Sequence, residues 1–420
     1  MAIQYVFPAL AGTNWAHLST VICMPFAALL FMNNVLPILL LSRKNTGNDG
    51  TMLAFRKKSA ISSYTKFQIN LKAQVDMEKA MEDIKNSCAE MLTRDSLLNI
   101  DPATKAYVRR SLSQIVHGYA PPSSGGGGVD PPFSSVAFSA VDTDVPVHVF
   151  ISKDSHSIFF FIDHCIADGL TMYNEVVAPI IGNPRFRLAK RPLYFPVVTE
   201  FHQIYVIARM LYVYLANVNS GGLARTPKAD QFPTFHTLPL APIKKMKNEL
   251  KVPVAAIIMS VLVKHLGRSL KNDRGDFKIC LSYAFENESS FNNYSFIIID
   301  TRSDLPISSM AKYIHKQLFN RRHEINTMYH LLQMPSGSSK LTSTIQQTIC
   351  DAYIAMTMVP EGDSSRSELN VMRSMKNEHY SISTGLNMTA VSIGEEVHIS
   401  SKCGLRDIDR GEFEMEMVLE

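Results

Sequence analysis

Five consecutive apolar residues, Ile158-Phe159-Phe160-Phe161-Ile162, run directly into Asp163 and His164. A strand that alternates in polarity needs cover on one face only. A short run that is apolar throughout needs both faces buried, so this one belongs inside a layered fold. The chain has the material for such a fold. Of its 420 residues 46% are hydrophobic and only 19% charged, against a usual charged share of about 25%. That composition excludes disorder, which needs low hydrophobicity and high net charge. Six cysteines in this length exclude a disulfide-stapled scaffold. A net charge of +4 is too mild for a nucleic-acid partner.

Charge is distributed unevenly. Met1 to Ser42 contains no Asp, Glu, Lys or Arg, and within it Leu18 to Leu41 is mostly apolar. A helix needs about 20 such residues to cross a bilayer core. Pro25, Pro37 and the Asn33-Asn34 pair interrupt the run. No basic segment precedes it, so it is not a secretory signal. Arg43, Lys44, Arg56, Lys57, Lys58, Lys66 and Lys72 follow, with Asp49 as the one acid before Val75. The positive-inside rule then predicts a membrane anchor with a cytosolic body. The protein is expected to be single-pass or peripheral, on the endoplasmic reticulum or plasma membrane. The alternative is a buried apolar element of a soluble fold. A cytosolic body agrees with scattered, reduced cysteines and no metal-binding spacing. It also predicts no glycan on the sequons at Asn287, Asn293 and Asn387.

Periodicity predicts an α/β chain in two halves. Lys66 to Lys72 alternates as a strand, and Asp76 caps a helix from Met77 to about Leu92. Val145–Ile151 and Ile158–Asp163 form a hairpin, followed by a helix from Leu170 to Ile181 that ends at Gly182. Phe201 to Val218 is an apolar helix near the basic cluster Arg185, Arg187, Lys190 and Arg191, and either crosses between domains or lies on a membrane surface. A Gly/Ser/Asn/Pro-rich stretch, Asn217 to Pro233, is the linker. In the second half, helices are expected over Ile243–Lys251, Val254–Leu266 and Ser308–Asn320. Strands are expected over Phe277–Tyr283, Tyr294–Asp300 and Tyr353–Val359. A hairpin is expected over Asn387–Ile393 and Val397–Lys402, with a last helix from Asp409.

The segment Asp163-His164-Cys165-Ile166-Ala167-Asp168-Gly169 carries the chemistry. It leaves a buried strand and enters a helix, a rigid place to mount a reactive group. An imidazole with an ordinary pKa near 6.5 can take a proton at neutral pH. Gly169 permits a sharp turn there.

This segment resembles the H-H-x-x-x-D-G motif of acyl-CoA-dependent acyltransferases related to chloramphenicol acetyltransferase. Further landmarks are similar to the wax ester synthase/diacylglycerol acyltransferase family. They are Asp144-Val145-Pro146-Val147-His148, Asn292-Asn293 followed by Tyr294 to Thr301, Val359-Pro360-Glu361-Gly362, Gly385-Leu386-Asn387-Met388-Thr389, and Leu405-Arg406-Asp407. The resemblance covers about residues 64 to 418. It departs from the family where Asp163 replaces the first histidine, Asn292 a glycine and Arg302-Ser303 a Leu-Pro.

The resemblance implies two chloramphenicol acetyltransferase-like sandwich domains with the active-site channel between them; the N-terminal apolar segment lies outside the resemblance and replaces the family's usual opening. The divisions are 1-45 for the anchor, 60-198 for the first domain, 199-235 for crossover helix and linker, and 236-420 for the second domain. It implies His164 as general base, acyl-CoA as co-substrate, and diacylglycerol or a long-chain alcohol as acceptor at a membrane. No metal or other cofactor is implied. Asp168 would brace the loop against an Arg, and Asp163→Ala should be much milder than His164→Ala. Thr357 either helps an oxyanion or is a plain strand residue; Asn293, Gly385 and Asn387 are candidate oxyanion or channel residues. The competing functions are transfer to a small alcohol or amine, and a degenerate lipid-binding protein.

Overall fold

The computed structural model describes residues 56, 64–118, 142–153, 155–183, 185, 189–190, 193, 201, 204–206, 208, 234–270, 276–286, 292–332, 352–358, 372–378, 387–393, 395–401 and 417. The apolar start, Gly385, the linker, the helix from Asp409 and most of Phe201 to Val218 lie outside them.

The first lobe is a five-stranded sheet under helices. Its strands are β1 (Tyr64–Leu71), β2 (Val116–Gly118), β3 (Val147–Ser152), β4 (Ser157–Asp163) and β10 (Met372–Glu378), in the order β10-β1-β4-β3-β2. β3 and β4 form the expected antiparallel hairpin, and β4 is buried at every position. Ile158, Phe160 and Ile162 join the core shared with Phe67 and Ile69 of β1, Ile84 and Cys88 of α1 (Met77–Leu92), and the helix that follows the motif. Phe159 and Phe161 point the other way, by the period of two. There they pack with Tyr64 and Phe150, and Phe235 of β6 (Thr234–Pro239) lies against them. The all-apolar run thus has one face under helices and the other turned to the second lobe. Asp76 caps α1 as expected, accepting from the N–H groups of Glu78 and Lys79.

The second lobe is a seven-stranded mixed sheet. It contains β5 (Ala189–Lys190), β6, β7 (Asp276–Glu286), β8 (Tyr294–Arg302), β9 (Ala352–Met358), β11 (Asn387–Ile393) and β12 (Glu396–Ser401). Helices α4 (Leu240–Leu250), α5 (Val254–Leu270) and α6 (Ile307–Asn320) supply most of its helical cover, with Ile257, Leu262 and Ile314 packed on Ile279, Ile297 and Ile354. A further helix, α7 (Arg322–Leu332), follows α6 and packs beside β8. α5 approaches the turn after β8 closely. A Cβ on Gly267 would lie 2.4 Å from Ser303 Cβ, so glycine is needed there.

Each half lends a strand to the other. β10, from the second half of the chain, pairs antiparallel with β1, and β5, from the first, pairs parallel with β7. Val391 of β11 reaches into the first lobe's core. No single described helix is long and apolar enough to cross a membrane. α4 and α5 pass by composition only as a pair bent by 116°, and their apolar residues fill the second core.

Candidate active site

The motif sits where the two lobes meet. β4 ends at Asp163, and after one tight turn the chain enters a helix at Gly169. That helix, α3, is built from Gly169–Met172, a wider π-helical turn Tyr173–Val177, and Ala178–Ile180. Pro179 gives the physical reason for the widened turn: it has no N–H for the α-helical ladder, and its ring crowds the preceding turn.

Asp163 is completely buried. Its Oδ2 accepts from Arg56 Nε at 2.8 Å, and its Oδ1 accepts from the Cys165 N–H at 2.9 Å. Arg56 also donates to the Thr143 carbonyl. These contacts give Asp163 a structural role beside the milder effect on activity expected of its loss. It is the anionic half of a buried ion pair and a clamp on the residue beside His164.

His164 keeps a partial opening to solvent. Its imidazole is nonetheless packed densely enough that burial lowers its pKa. The ring's own interactions with its backbone carbonyl and the Asn292 side-chain oxygen, and the Asp163 charge, oppose that lowering, while Lys105 adds to it. A lowered value leaves the ring neutral at neutral pH, the state a general base requires.

The other histidine of the family-like landmarks has no such freedom. His148 Nε2 lies 2.9 Å from the Asp142 carbonyl oxygen, which can only accept, so Nε2 carries the proton. Its Nδ1 then accepts from His117 Nε2 at 3.1 Å. Both ring nitrogens are engaged, and burial lowers its pKa to about 4. Among these two, His164 is the one fitted to exchange a proton.

Asp168 caps α3. Its carboxylate accepts from Thr171 N and Thr171 Oγ1, each at 3.0 Å, and from Asn293 N of the second lobe at 3.1 Å. Among the described residues its partners are backbone and hydroxyl donors, and no arginine is paired with it. Burial nevertheless pushes its pKa up to about 6. Asp168→Ala should cost about 1–3 kcal/mol, the penalty for stranding buried donors, and should lower activity with it. A fully stable but inactive variant would instead indicate direct chemistry. The sign of the pH effect follows from the raised value. The unfolded acid ionises near 3.8 and the folded one near 6, so this group makes stability fall as pH rises between those values. Urea unfolding across that window should show a downward contribution that Asp168→Asn removes.

The tight turn into Gly169 is made without a positive φ at that residue; Gly182, at the end of α3, has φ 68°. A Cβ on Gly169 would meet nothing within 4 Å. The backbone at the start of α3 therefore borders open space, a few residues from His164.

The remaining sequence candidates fall in different places. Asn293 is 2% exposed, donates its N–H to Asp168, and has its Oδ1 3.4 Å from the Tyr329 hydroxyl. It braces the junction of the lobes, and a glycan on its side chain is incompatible with this fold. Its neighbour Asn292 reaches the motif instead, with Nδ2 3.4 Å from the Cys165 carbonyl oxygen. Thr357 lies in β9 in register with Val391, and Asn387 opens β11 in register with Tyr353; their side chains lie outside the described residues. No group of three or more potential metal ligands occurs among the described residues.

Arg56, Asn292 and Lys105 are neighbours of the site that were not among its sequence candidates. Asn292 stands in a family-like landmark where the family has a glycine, and Arg56 in a basic flank. Nothing local in the sequence distinguishes Lys105.

No protein-family model matches the chain, and a search of curated proteins finds no match. Solved structures do. Trichothecene 15-O-acetyltransferase from Fusarium sporotrichioides has a TM-score of 0.59 at 10% identity, over 90% of this chain and 94% of that one. The wax ester synthase/diacylglycerol acyltransferase from Marinobacter aquaeolei has a TM-score of 0.52 at 13% identity, over 89% and 99%. Polyketide synthase associated protein 5 from Mycobacterium tuberculosis has a TM-score of 0.52 at 13% identity, over 89% and 96%. The chain thus shares the fold of these three structures over about nine-tenths of its length.

Proposed function

We propose that the chain is an acyl-CoA-dependent O-acyltransferase that works at a membrane and passes a fatty acyl group to a lipophilic alcohol, diacylglycerol or a long-chain alcohol. The observation that carries this reading is His164. It directly follows a buried strand, Asp163 before it clamps the N–H of Cys165 after it, and burial keeps its pKa below the usual imidazole value.

In the proposed reaction His164 takes the proton of the acceptor hydroxyl as that oxygen attacks the thioester carbon. The tetrahedral intermediate then expels CoA thiolate. The imidazolium returns its proton to the sulfur, leaving an ester, free CoA and the starting histidine. A positioned base supplies roughly 10²–10⁴-fold; orienting two substrates in a channel between the lobes supplies much of the rest. Burial pushes the Cys165 thiol well above its usual range, which makes it a poor nucleophile and leaves direct transfer as the simpler course.

The lipid acceptor and the membrane rest on the uncharged Met1 to Ser42 segment and the basic flank that follows it. The test is an acceptor panel with palmitoyl-CoA and the full-length protein in lipid vesicles. Ester formation with diacylglycerol or hexadecanol is expected. Transfer to small alcohols or amines alone would overturn the lipid assignment.

A further inference from the structure

Between α1 and the short helix α2 (Leu112–Ile115) the chain makes a tight polar turn over residues 101–107. Asp101 organises it: its Oδ1 accepts from Ala103 N at 3.0 Å and from Thr104 N at 2.7 Å. Its carbonyl accepts from Lys105 N at 2.8 Å, and its own N–H donates to the Ala106 carbonyl at 2.8 Å. Surface turns normally send their lysines into water. Lys105 does the opposite: it is 8% exposed while Thr104 and Ala106 on either side of it are partly or fully open.

Its backbone has φ 61°, a left-handed conformation that costs a residue with a Cβ of order 1 kcal/mol or more. That conformation turns the side chain inward, and Nζ donates to the carbonyl of Cys165. Cys165 directly follows His164. Its N–H is already held by Asp163, and its carbonyl also receives the longer contact from Asn292. The peptide units flanking Cys165 are therefore fixed at both ends.

A neutral amide would serve to hold a carbonyl, and Asn292 is in place to do so. A buried ammonium, by contrast, carries a desolvation cost of several kcal/mol. Held on the carbonyl of the residue that follows His164, this charge also acts on the imidazole. We propose that Lys105 is a positioning residue of this centre: through the Cys165 carbonyl it fixes the loop that carries His164, and its positive charge opposes a positive charge on the imidazole.

The charged and titratable groups around His164 make the balance explicit. Asp163, from β4, favours the imidazolium and is itself paired with Arg56. Lys105, from the 101–107 turn, disfavours it. Asn292, from the second lobe, is neutral, and the Cys165 thiol stays protonated. Removing Lys105 tips this balance toward the cation.

The inference rests on the reading of His164 as a general base, but its test does not require turnover. The C2–H resonance of His164, assigned by its loss in His164→Ala, is titrated by NMR in the full-length protein without substrate. The wild-type midpoint should lie below 6.5. Lys105→Gln keeps a donor and loses the charge; its midpoint should rise by about one pH unit. Lys105→Arg keeps the charge and should stay near wild type. With acyl-CoA and acceptor, the acid limb of the kcat/KM profile should move up with the Gln midpoint and return with Arg.

An unchanged midpoint in a folded Lys105→Gln protein would overturn the proposal. So would a wild-type midpoint at or above 6.5, or an Arg variant that shifts as far as Gln. Should Lys105→Gln fail to fold, the wild-type midpoint and the Arg variant still decide. A protein that shows the predicted titrations but no acyl transfer would sink the enzymatic reading and leave this one standing.

Discussion

Replacing His164 with alanine is expected to lower kcat/KM for acyl transfer at least 100-fold, with a thermal unfolding midpoint within a few degrees of wild type. The activity figure is the lower end of what a positioned general base contributes. The stability figure follows from where the side chain sits. His164 belongs to neither hydrophobic core and keeps an opening to solvent, and the surrounding loop is held by Asp163, Lys105 and Asp168 rather than by the imidazole. Its polar neighbours can be reached by the water that a truncated ring admits. Initial rates and differential scanning fluorimetry on the same preparation read both quantities. A variant that keeps more than a tenth of the wild-type rate would remove His164 from the role of base.

Asp163→Ala should give the largest stability loss of any change in this segment, about 3–5 kcal/mol. That is the scale for removing one partner of a buried ion pair and leaving the other charge unmatched. Here the Arg56 guanidinium, with a side chain 12% exposed and 2.8 Å from a fully buried carboxylate, would keep only the exposed Asp144 at 4.0 Å and the Thr143 carbonyl. The Cys165 N–H loses its acceptor in the same step. Replacing both Arg56 and Asp163 with apolar residues should cost less than the two single losses added together, because the pair acts as a unit. Urea unfolding of the two single variants and the double variant measures this coupling. Additive losses would mean that the contact contributes nothing as a pair.

What the sequence discloses and what it conceals follow the range of the interactions. The β3–β4 hairpin, α1 and its Asp76 cap were legible because each is written in a local pattern. So was the placement of His164, since a wholly apolar strand that ends in Asp-His fixes where that ring must emerge. The two-lobed fold came from the family resemblance rather than from periodicity.

The surroundings of His164 were not legible, because each neighbour arrives from far along the chain. Arg56 precedes Asp163 by 107 residues and sits in a basic run that has its own explanation as a membrane flank. Asn292 follows Cys165 by 127. Lys105 lies in a polar turn, and only its left-handed backbone, invisible to composition, sends it inward. β10, Met-Arg-Ser-Met-Lys-Asn-Glu, carries too few apolar residues to signal that it extends the first sheet. The donors that hold Asp168 were not legible either: backbone N–H groups, which every residue has, leave no trace in a sequence.

The central claim is that His164 moves a proton between an acceptor alcohol and CoA during direct acyl transfer. It is tested most directly by following free CoA thiol and acyl ester together, with purified full-length protein, palmitoyl-CoA and diacylglycerol in vesicles. The account predicts thiol and ester in a one-to-one ratio, both dependent on acceptor and both abolished in His164→Ala. Folded wild-type protein that releases no thiol and forms no ester with any acceptor would contradict it, and would point instead to a protein that binds lipid without turning it over.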